Sequence, residues 1–302
     1  MSKSEYTLLE NRAVIAVGGE DAAEFLQGLV SNDISRAGPD RALYAALLTP
    51  QGKFLFDFFV TELGGQLHLD CEAGRAEAFI KRLTMFKLRS KVTLAIADFT
   101  VAAAFGADVQ ASFGLQAEPG SAMPFAGGVA YVDPRLTDMG VRLVLPFGSA
   151  PDALQDLALT AAAPGAYDAL RLSHGLPDGS RDMDVDKSTL LECGFEELHG
   201  VDFDKGCYMG QELTARTKYR GLVKRRLFPV KIEGPLPKPG APIALGGAEA
   251  GTIKSGAGGQ AIALLRLKAI SDSRASGVPL TSGDATVIPI EPDWMQAPLP
   301  GS

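Results

Sequence analysis

The sequence predicts an α+β protein, with a mixed body over residues 1–223 and a small all-β module, read as a barrel, over residues 224–302. Three observations carry that reading. Apolar residues alternate at strand period in many short runs separated by Gly- and Pro-containing turns. Helical patterns interrupt these runs without the regular strand–helix–strand alternation of a doubly wound sheet. Past residue 224 helical patterns stop, and RRLFPVKIEGPLPKPGAPIALGGAEAGTIKSGAGGQAIALLRL reads as short strands cut by Gly and Pro, joined to the body near residues 221–227.

Taken in order, EDAAEFLQGLVSNDI is the first helix. Asp21 can cap it, Glu24 stands three residues on, and Ala22, Phe25, Leu26, Leu29 and Val30 recur on one face before the polar stop Ser31-Asn32-Asp33. ALYAALLTPQGKFLFDFFVTEL follows as a hairpin around Thr49-Pro50-Gln51-Gly52. In its second run Phe54, Phe56, Phe58 and Val60 share one face, and Leu55, Asp57 and Phe59 share the other. Both faces are apolar, so the strand is expected to be central, with Asp57 an acid in apolar surroundings. QLHLDCE alternates as a strand, GRAEAFIKRLTMFKLRS is a helix, and KVTLAIAD a strand after it. Residues 98–105, 129–132 and 139–145 read as strands around a Gly/Pro/Ala-rich loop, and PDALQDLAL and AYDALRLSHGL as helices. The tail EPDWMQAPLPGS is expected to be poorly ordered.

Composition narrows the function classes. A net charge of −7 argues against bulk binding to nucleic acid or anionic membranes, and no apolar run reaches the ~20 residues of a membrane helix. The N-terminal residues lack the pattern of a targeting peptide, which makes a cytoplasmic protein the expectation. Three scattered cysteines (71, 193 and 207) and three histidines (68, 174 and 199) fit a reducing compartment. They make a closed zinc site or a self-contained iron–sulfur cluster, each usually four ligands of Cys and His, an unexpected feature.

Three features could carry chemistry. Cys207 sits in KGCYMGQELTAR beside Lys205 and between Gly206 and Gly210. A cation or a helix start near the thiol would favour its thiolate, and the glycines would permit close approach; the alternative is a small buried apolar residue. Cys71 and Cys193 lack that setting and read as structural. Asp57 needs a base or a raised pKa if buried, and is a surface acid if its strand lies at an edge. The basic run ARTKYRGLVKRR, with Arg216, Lys218, Arg220, Lys224, Arg225 and Arg226, could hold an anionic tail, RNA or an acidic partner, or be a solvated linker face. A second basic group, KRLTMFKLRSK, lies on or beside the second helix.

KGCYMGQE resembles the signature K-G-C-[FY]-x-G-Q-E of the YgfZ family, folate-binding relatives of the glycine-cleavage T-protein. FLQGLVSND, YAALLTPQGKFLFDF, KRLTMFKLRSKV and GQELTARTKYRGLVKRRLFPV support it in family order from about residue 12 to 231, and the last looks closest to the branch with the mitochondrial iron–sulfur assembly factor. The resemblance implies a T-protein-like folate-binding body with a C-terminal β-barrel. It also implies a role in assembling or repairing 4Fe–4S proteins, including radical-SAM enzymes that modify tRNA, with iron–sulfur assembly or client proteins as partners. The family's essential cysteine falls on Cys207, with Lys205, Gly206, Tyr208, Gly210, Gln211 and Glu212 around it. Asn32, Asp33 and Asp57, with Tyr208, Gln211, Glu212 and Arg220, would face a tetrahydrofolate. Two positions depart from the T-protein: Phe56-Asp57 stands where it has adjacent acids, and Ser173 where it has a glutamate after an Arg-Leu pair. Both departures argue against aminomethyl transfer, and the second bears on tight folate binding.

Counting ligands makes Cys207 a transient cluster ligand or a thiol that engages a sulfur species or a partner's cysteine, because one thiolate cannot hold a cluster and no resident metal is expected. The alternative is a tetrahydrofolate-dependent one-carbon (aminomethyl) transferase, which would depend on Asp57 rather than Cys207. A module that binds RNA through residues 216–226 is a third reading. The acidic bulk and the lone Tyr219 weigh against it.

Overall fold

The computed structural model describes residues 4–221 and 223–295. The chain divides into two units: Met1–Pro50, Leu55–Tyr167 and Leu198–Gln211 form the first, and Gln51–Phe54, Asp168–Glu197 and Glu212–Ser302 the second.

In chain order the first unit contains β1 (Glu5–Leu8), β2 (Arg12–Gly18), α1 (Ala22–Gln27), β3 (Leu43–Leu48), β4 (Phe54–Leu63, entering from the second unit), β5 (Gln66–Glu72), α2 (Ala76–Lys87), β6 (Thr93–Ala97), β7 (Phe99–Phe105), α3 (Val109–Ser112), β8 (Ala122–Phe125), β9 (Gly128–Val132), β10 (Val141–Pro146), α4 (Ala150–Gln155) and β11 (Thr160–Ala161). They form a five-stranded sheet in the order β3-β4-β5-β2-β6 and a six-stranded sheet in the order β11-β1-β7-β10-β9-β8. β4 lies between two neighbours, as its two apolar faces require.

Register sorts the side chains. Phe58 opposes Cys71 and Val60 opposes Leu69, so these residues share one face of the five-stranded sheet, and α2 covers it with Phe79 against Phe56 and Phe58. Phe59 opposes Asp70, which opposes Val14, so these point the other way, together with Asp57 and Arg12. In the six-stranded sheet Ala102, Ala104, Ala130, Val132, Val141 and Leu143 pack outward with α3 and α4. Arg142 and Tyr131, opposite each other, take the inner face. Asp70 and Arg142 meet between the sheets at 2.6 Å.

The second unit holds α5 (Ala166–His174, starting in the first unit), α6 (Gly179–Asp182), α7 (Gln211–Tyr219) and β12 (Arg225–Glu233). It continues with β13 (Pro242–Leu245), β14 (Ala248–Ala257), β15 (Gln260–Arg266), α8 (Leu267–Ser276), β16 (Leu280–Ser282) and β17 (Ala285–Pro289). Its six strands close into a barrel, β12-β15-β14-β13-β16-β17, filled by Phe228, Val230, Ile253, Ala263, Leu265, Val287 and their neighbours. Gly251 is required there, because a Cβ would stand 2.3 Å from the Leu264 carbonyl oxygen on the next strand.

Four expectations need correction, the last being that helices stop past residue 224, where α8 forms. The first helix ends at Gln27 instead of running to Val30, since Val30 bridges to Leu47 and the Ser31 N–H bonds the Ala46 carbonyl; pairing with β3 pulls the chain out of the helix. Asp21 does not cap it, because its carboxylate accepts the Lys91 N–H instead. The tail is packed at its start: the Trp294 indole N–H donates to the His174 carbonyl at 2.8 Å, its ring lies over Gly194, and Met295 packs on the barrel core. The rest of that tail, 296–302, lies outside the described residues. α8 carries no strong amphipathic pattern, and the sequence did not announce it.

Candidate functional site

Cys207 lies in a loop, 198–211, that is stitched to the chain leaving α1. The Ser31 hydroxyl donates to the Gly200 carbonyl at 2.6 Å. The Asn32 amide donates to the carbonyls of Tyr44 and His199 at 2.7 and 2.8 Å, and its oxygen accepts the Asp33 N–H. The Asp202 N–H bonds the Ser31 carbonyl, and the Met209 N–H bonds the Gly28 carbonyl. Both ends of the loop are therefore fixed to 28–32.

Lys205 is the strongest fastener. Its Nζ donates to the carbonyls of Gln27, the last residue of α1, and of Val30 and Asn32 in the chain that follows, at 2.8, 2.6 and 2.7 Å. An ammonium has three hydrogens, and all three are used. Lys205 thus secures the loop, with all its N–H donors spent on backbone carbonyls. Burial pulls its pKa down to about 8, against Asp33 and Asp202 nearby. Its Nζ also lies 5.2 Å from the centre of the buried Tyr208 ring.

Between these anchors the backbone turns outward. Gly206 and Gly210 have φ of +90° and +82°. Nothing lies within 4 Å of a Cβ placed on Gly206, so the left-handed backbone, and not crowding, selects glycine there. Cys207 follows, exposed, while Tyr208 is buried with its N–H on the Gln211 side-chain oxygen at 3.2 Å. α7 starts at Gln211, so the thiol stands ahead of the helix and not on its first turn. Cys71 and Cys193 are buried. Burial pushes the Cys71 thiol up to about 12 and raises Cys193 as well, which leaves both inert as nucleophiles near neutral pH.

The structure brings Asn32, Asp33, Lys205, Cys207, Tyr208 and Gln211 into this one assembly. Asp33 caps a short turn, with one oxygen accepting from the Ser35 N–H, the Ser35 hydroxyl and the Gln27 amide; these bonds hold its carboxyl below the usual range. Asp57 is 5% exposed and accepts the Tyr44 hydroxyl at 2.9 Å. Burial and Asp57 together push the Tyr44 hydroxyl well up, which keeps it a donor. Tyr44 thereby links two predicted positions, holding Asn32 with its carbonyl and Asp57 with its hydroxyl. Glu212 and Arg220 lie exposed on and just past α7. Of the basic run, Lys218, Arg225 and Arg226 pair with Glu196, Glu192 and Glu197, and Arg216 and Lys224 are exposed. Ser173 is exposed on α5, its hydroxyl on the Leu170 carbonyl.

Sequence reasoning missed the charged layer beside Asp57. Asp70 is held by Arg12 and Arg142, both at 2.6 Å, and Asp133 is bound by two nitrogens of Arg135 at 3.0 and 2.8 Å. The guanidiniums of Arg142, Arg135 and Arg12 lie 4.1, 4.9 and 5.7 Å from the centre of the Phe59 ring. The available signal was a charge at a strand-alternating position, Asp70 in QLHLDCE and Arg142 in VRLVLP.

Comparison with known proteins gives this geometry a family. Residues 224–297 match the model described as "CAF17, C-terminal beta-barrel domain". The mouse protein "Iron-sulfur cluster assembly factor IBA57, mitochondrial" is 35% identical over 95% of this chain and 84% of its own length. The chain belongs to the IBA57/CAF17 family of iron–sulfur cluster assembly factors. The human IBA57 is 33% identical over the same shares, 95% and 84%. The fold also matches the crystal structure of glycine cleavage system aminomethyltransferase T from Bartonella henselae, with a TM-score of 0.78 and 18% identity over 98% of this chain and 87% of that one. That likeness establishes a T-protein-like body with a C-terminal barrel. The mouse and human IBA57 relatives are named as mitochondrial, where the sequence reading of this chain expected the cytoplasm. No helix among the described residues is long and apolar enough to cross a membrane.

Proposed function

We propose that this IBA57/CAF17-family chain serves the assembly or repair of 4Fe–4S proteins, including radical-SAM enzymes that modify tRNA, and that it works through Cys207. The observation that carries the reading is the contrast among the three thiols: two are buried and pushed out of the reactive range, and the third is exposed on a loop anchored at both ends. The cluster is cargo. Cys207 gives up its proton as its sulfur bonds to an iron, that iron releases one ligand of its donor, and the remaining ligands come from donor or recipient. A loop held by Lys205 and Asn32 keeps the thiol outward without reorganisation when a partner arrives.

A tetrahydrofolate-type ligand belongs to the same reading, supported by the T-protein-like fold. The residues present fit it at one point. Asp57, a buried carboxylate oriented by Tyr44, has the chemistry to receive the amino edge of a pterin. Asn32 spends its side-chain amide on the chain itself and Asp33 spends one carboxylate oxygen there, so both would support such a ligand chiefly by fixing the backbone. Bound there, a reduced folate would supply a one-carbon acceptor or a ligand signal.

The test is the activity of a 4Fe–4S tRNA-modifying enzyme in cells lacking this protein, restored with wild type, Cys207→Ala or Asp57→Asn at equal abundance. Wild type is expected to restore activity and Cys207→Ala to fail. Full rescue by Cys207→Ala with failure of Asp57→Asn would overturn the reading in favour of folate-dependent one-carbon transfer.

A further inference from the structure

The five-stranded sheet ends at β6, which pairs with β2 and with no other strand among the described residues. Its sequence, Thr-Leu-Ala-Ile-Ala, has no charge and no proline, the devices that normally keep an open edge from pairing. Ile15 opposes Ile96 and Leu69, so Ile96 and Leu94 lie on the face that α2 covers. Ile96 is nevertheless 53% exposed, and at the end of α2 so are Met85 (61%) and Leu88 (89%). Leu88 also holds a left-handed backbone, φ 45°, that leucine disfavours, and no burial of its side chain among the described residues repays it.

Charge says what would cover this surface. Lys81, Arg82, Lys87, Arg89 and Lys91 fall in eleven residues without one acid, in a chain whose net charge is −7. Lys91 pairs with Glu20 and Arg82 lies over the Phe86 ring, whereas no ion pair among the described residues holds Lys81, Lys87 or Arg89. An open strand edge asks for backbone donors and acceptors, which a protein segment has and a nucleic acid or lipid lacks. A second copy joined edge to edge would bring two basic groups together.

We propose that the free edge of β6, with Ile96 exposed on the strand and Leu88 exposed on the turn that leads into it, docks an acidic, strand-forming segment of a partner protein. The apolar side chains of that segment cover Leu88 and Ile96, its carboxylates meet Lys81, Lys87 and Arg89, and its backbone extends the sheet by one strand. The surface is separate from Cys207 and stands whether or not the proposed chemistry there is right.

The test uses the full chain and a fluorescent synthetic peptide of about eight residues alternating Val or Ile with Glu or Asp, a typical strand length. Saturable binding is expected, with slowed amide exchange in β6, and Leu88→Glu and Ile96→Glu are each expected to weaken it about tenfold or more. Both side chains are exposed. If Ile96→Glu nonetheless lowers the melting temperature, Leu88→Glu alone decides. Absence of binding at millimolar peptide, equal binding of a Lys/Arg version, or binding that Leu88→Glu leaves intact overturns the proposal. So would a wild-type dimer that Leu88→Glu dissociates, or RNA or anionic vesicles that bind the wild type and lose to the same substitution.

Discussion

The barrel interior and the space between the two sheets of the first unit are both buried, and they are built on opposite principles. The barrel is filled with Ile, Val, Leu, Ala and one Phe, whose attraction is non-directional. Between the sheets stand Arg12, Asp70, Arg142, Asp133 and Arg135 around Phe59, with tyrosines beside them. Such charges are retained only while every one has its counter-charge, because desolvating an ion costs more than an isolated contact returns. The difference teaches where specificity resides. The barrel filling answers to volume and apolarity, whereas the first unit needs particular atoms in particular places, in the same body that presents Cys207.

The largest expected effect breaks that contrast at its centre. Burial opposes ionisation of Asp70, but Arg12 and Arg142 outweigh it and hold its carboxyl below the usual range. Asp70→Asn keeps the shape and leaves two guanidiniums buried without their anion, which should cost about 3–5 kcal/mol. Ile253→Val in the barrel removes one buried methylene and should cost about 0.5–1.5 kcal/mol. Urea unfolding of both variants measures the gap. Equal costs would mean that the charged layer is not the sensitive element.

A middle effect concerns the loop. Lys205→Met leaves the carbonyls of Gln27, Val30 and Asn32 without their donor and should cost about 1–3 kcal/mol. The loss should be local: amide exchange in residues 199–210 rises while the barrel strands stay protected. Uniform loss of protection would show that Lys205 supports the whole unit and not the presentation of Cys207.

What could be read from the sequence follows the range of the forces involved. The hairpin around Pro50-Gln51-Gly52 and the barrel strands rest on local alternation and turn residues, and they appear in the structure where that pattern places them. α1 was read too long because its end is decided by β3 and by Lys205, some 175 residues away from Val30. α8 escaped notice because Leu-Lys-Ala-Ile-Ser-Asp-Ser-Arg-Ala-Ser has no sustained apolar stripe. The motif around Cys207 was visible through resemblance, while the cage that holds it was not, since backbone carbonyls leave no mark in a sequence. The pairing of Asp70 with Arg142 spans 72 positions, and only the facing of two sheets brings them together.

The smallest effect tests how closely the layer is balanced. His68 shares the face of β5 that carries Asp70, is buried, rests edge-on against Phe99, and has Nδ1 3.2 Å from the Gln66 carbonyl oxygen. Burial lowers its pKa, against smaller opposing effects of Gln66 and Glu62, so the folded state holds it neutral where the unfolded chain, near 6.5, begins to bind a proton. The unfolded state then carries more protons as the pH falls, and stability must fall with it below about 6.5. Urea midpoints measured downward from neutral pH should show that decline, and His68→Gln should flatten it. A decline that survives the substitution unchanged would have to be assigned elsewhere, first to His199, whose pKa burial and Arg36 also lower. Because a proton on His68 would add a cation to that layer, the slope reads how much added charge that interior tolerates, a question the apolar side chains that fill the barrel do not raise.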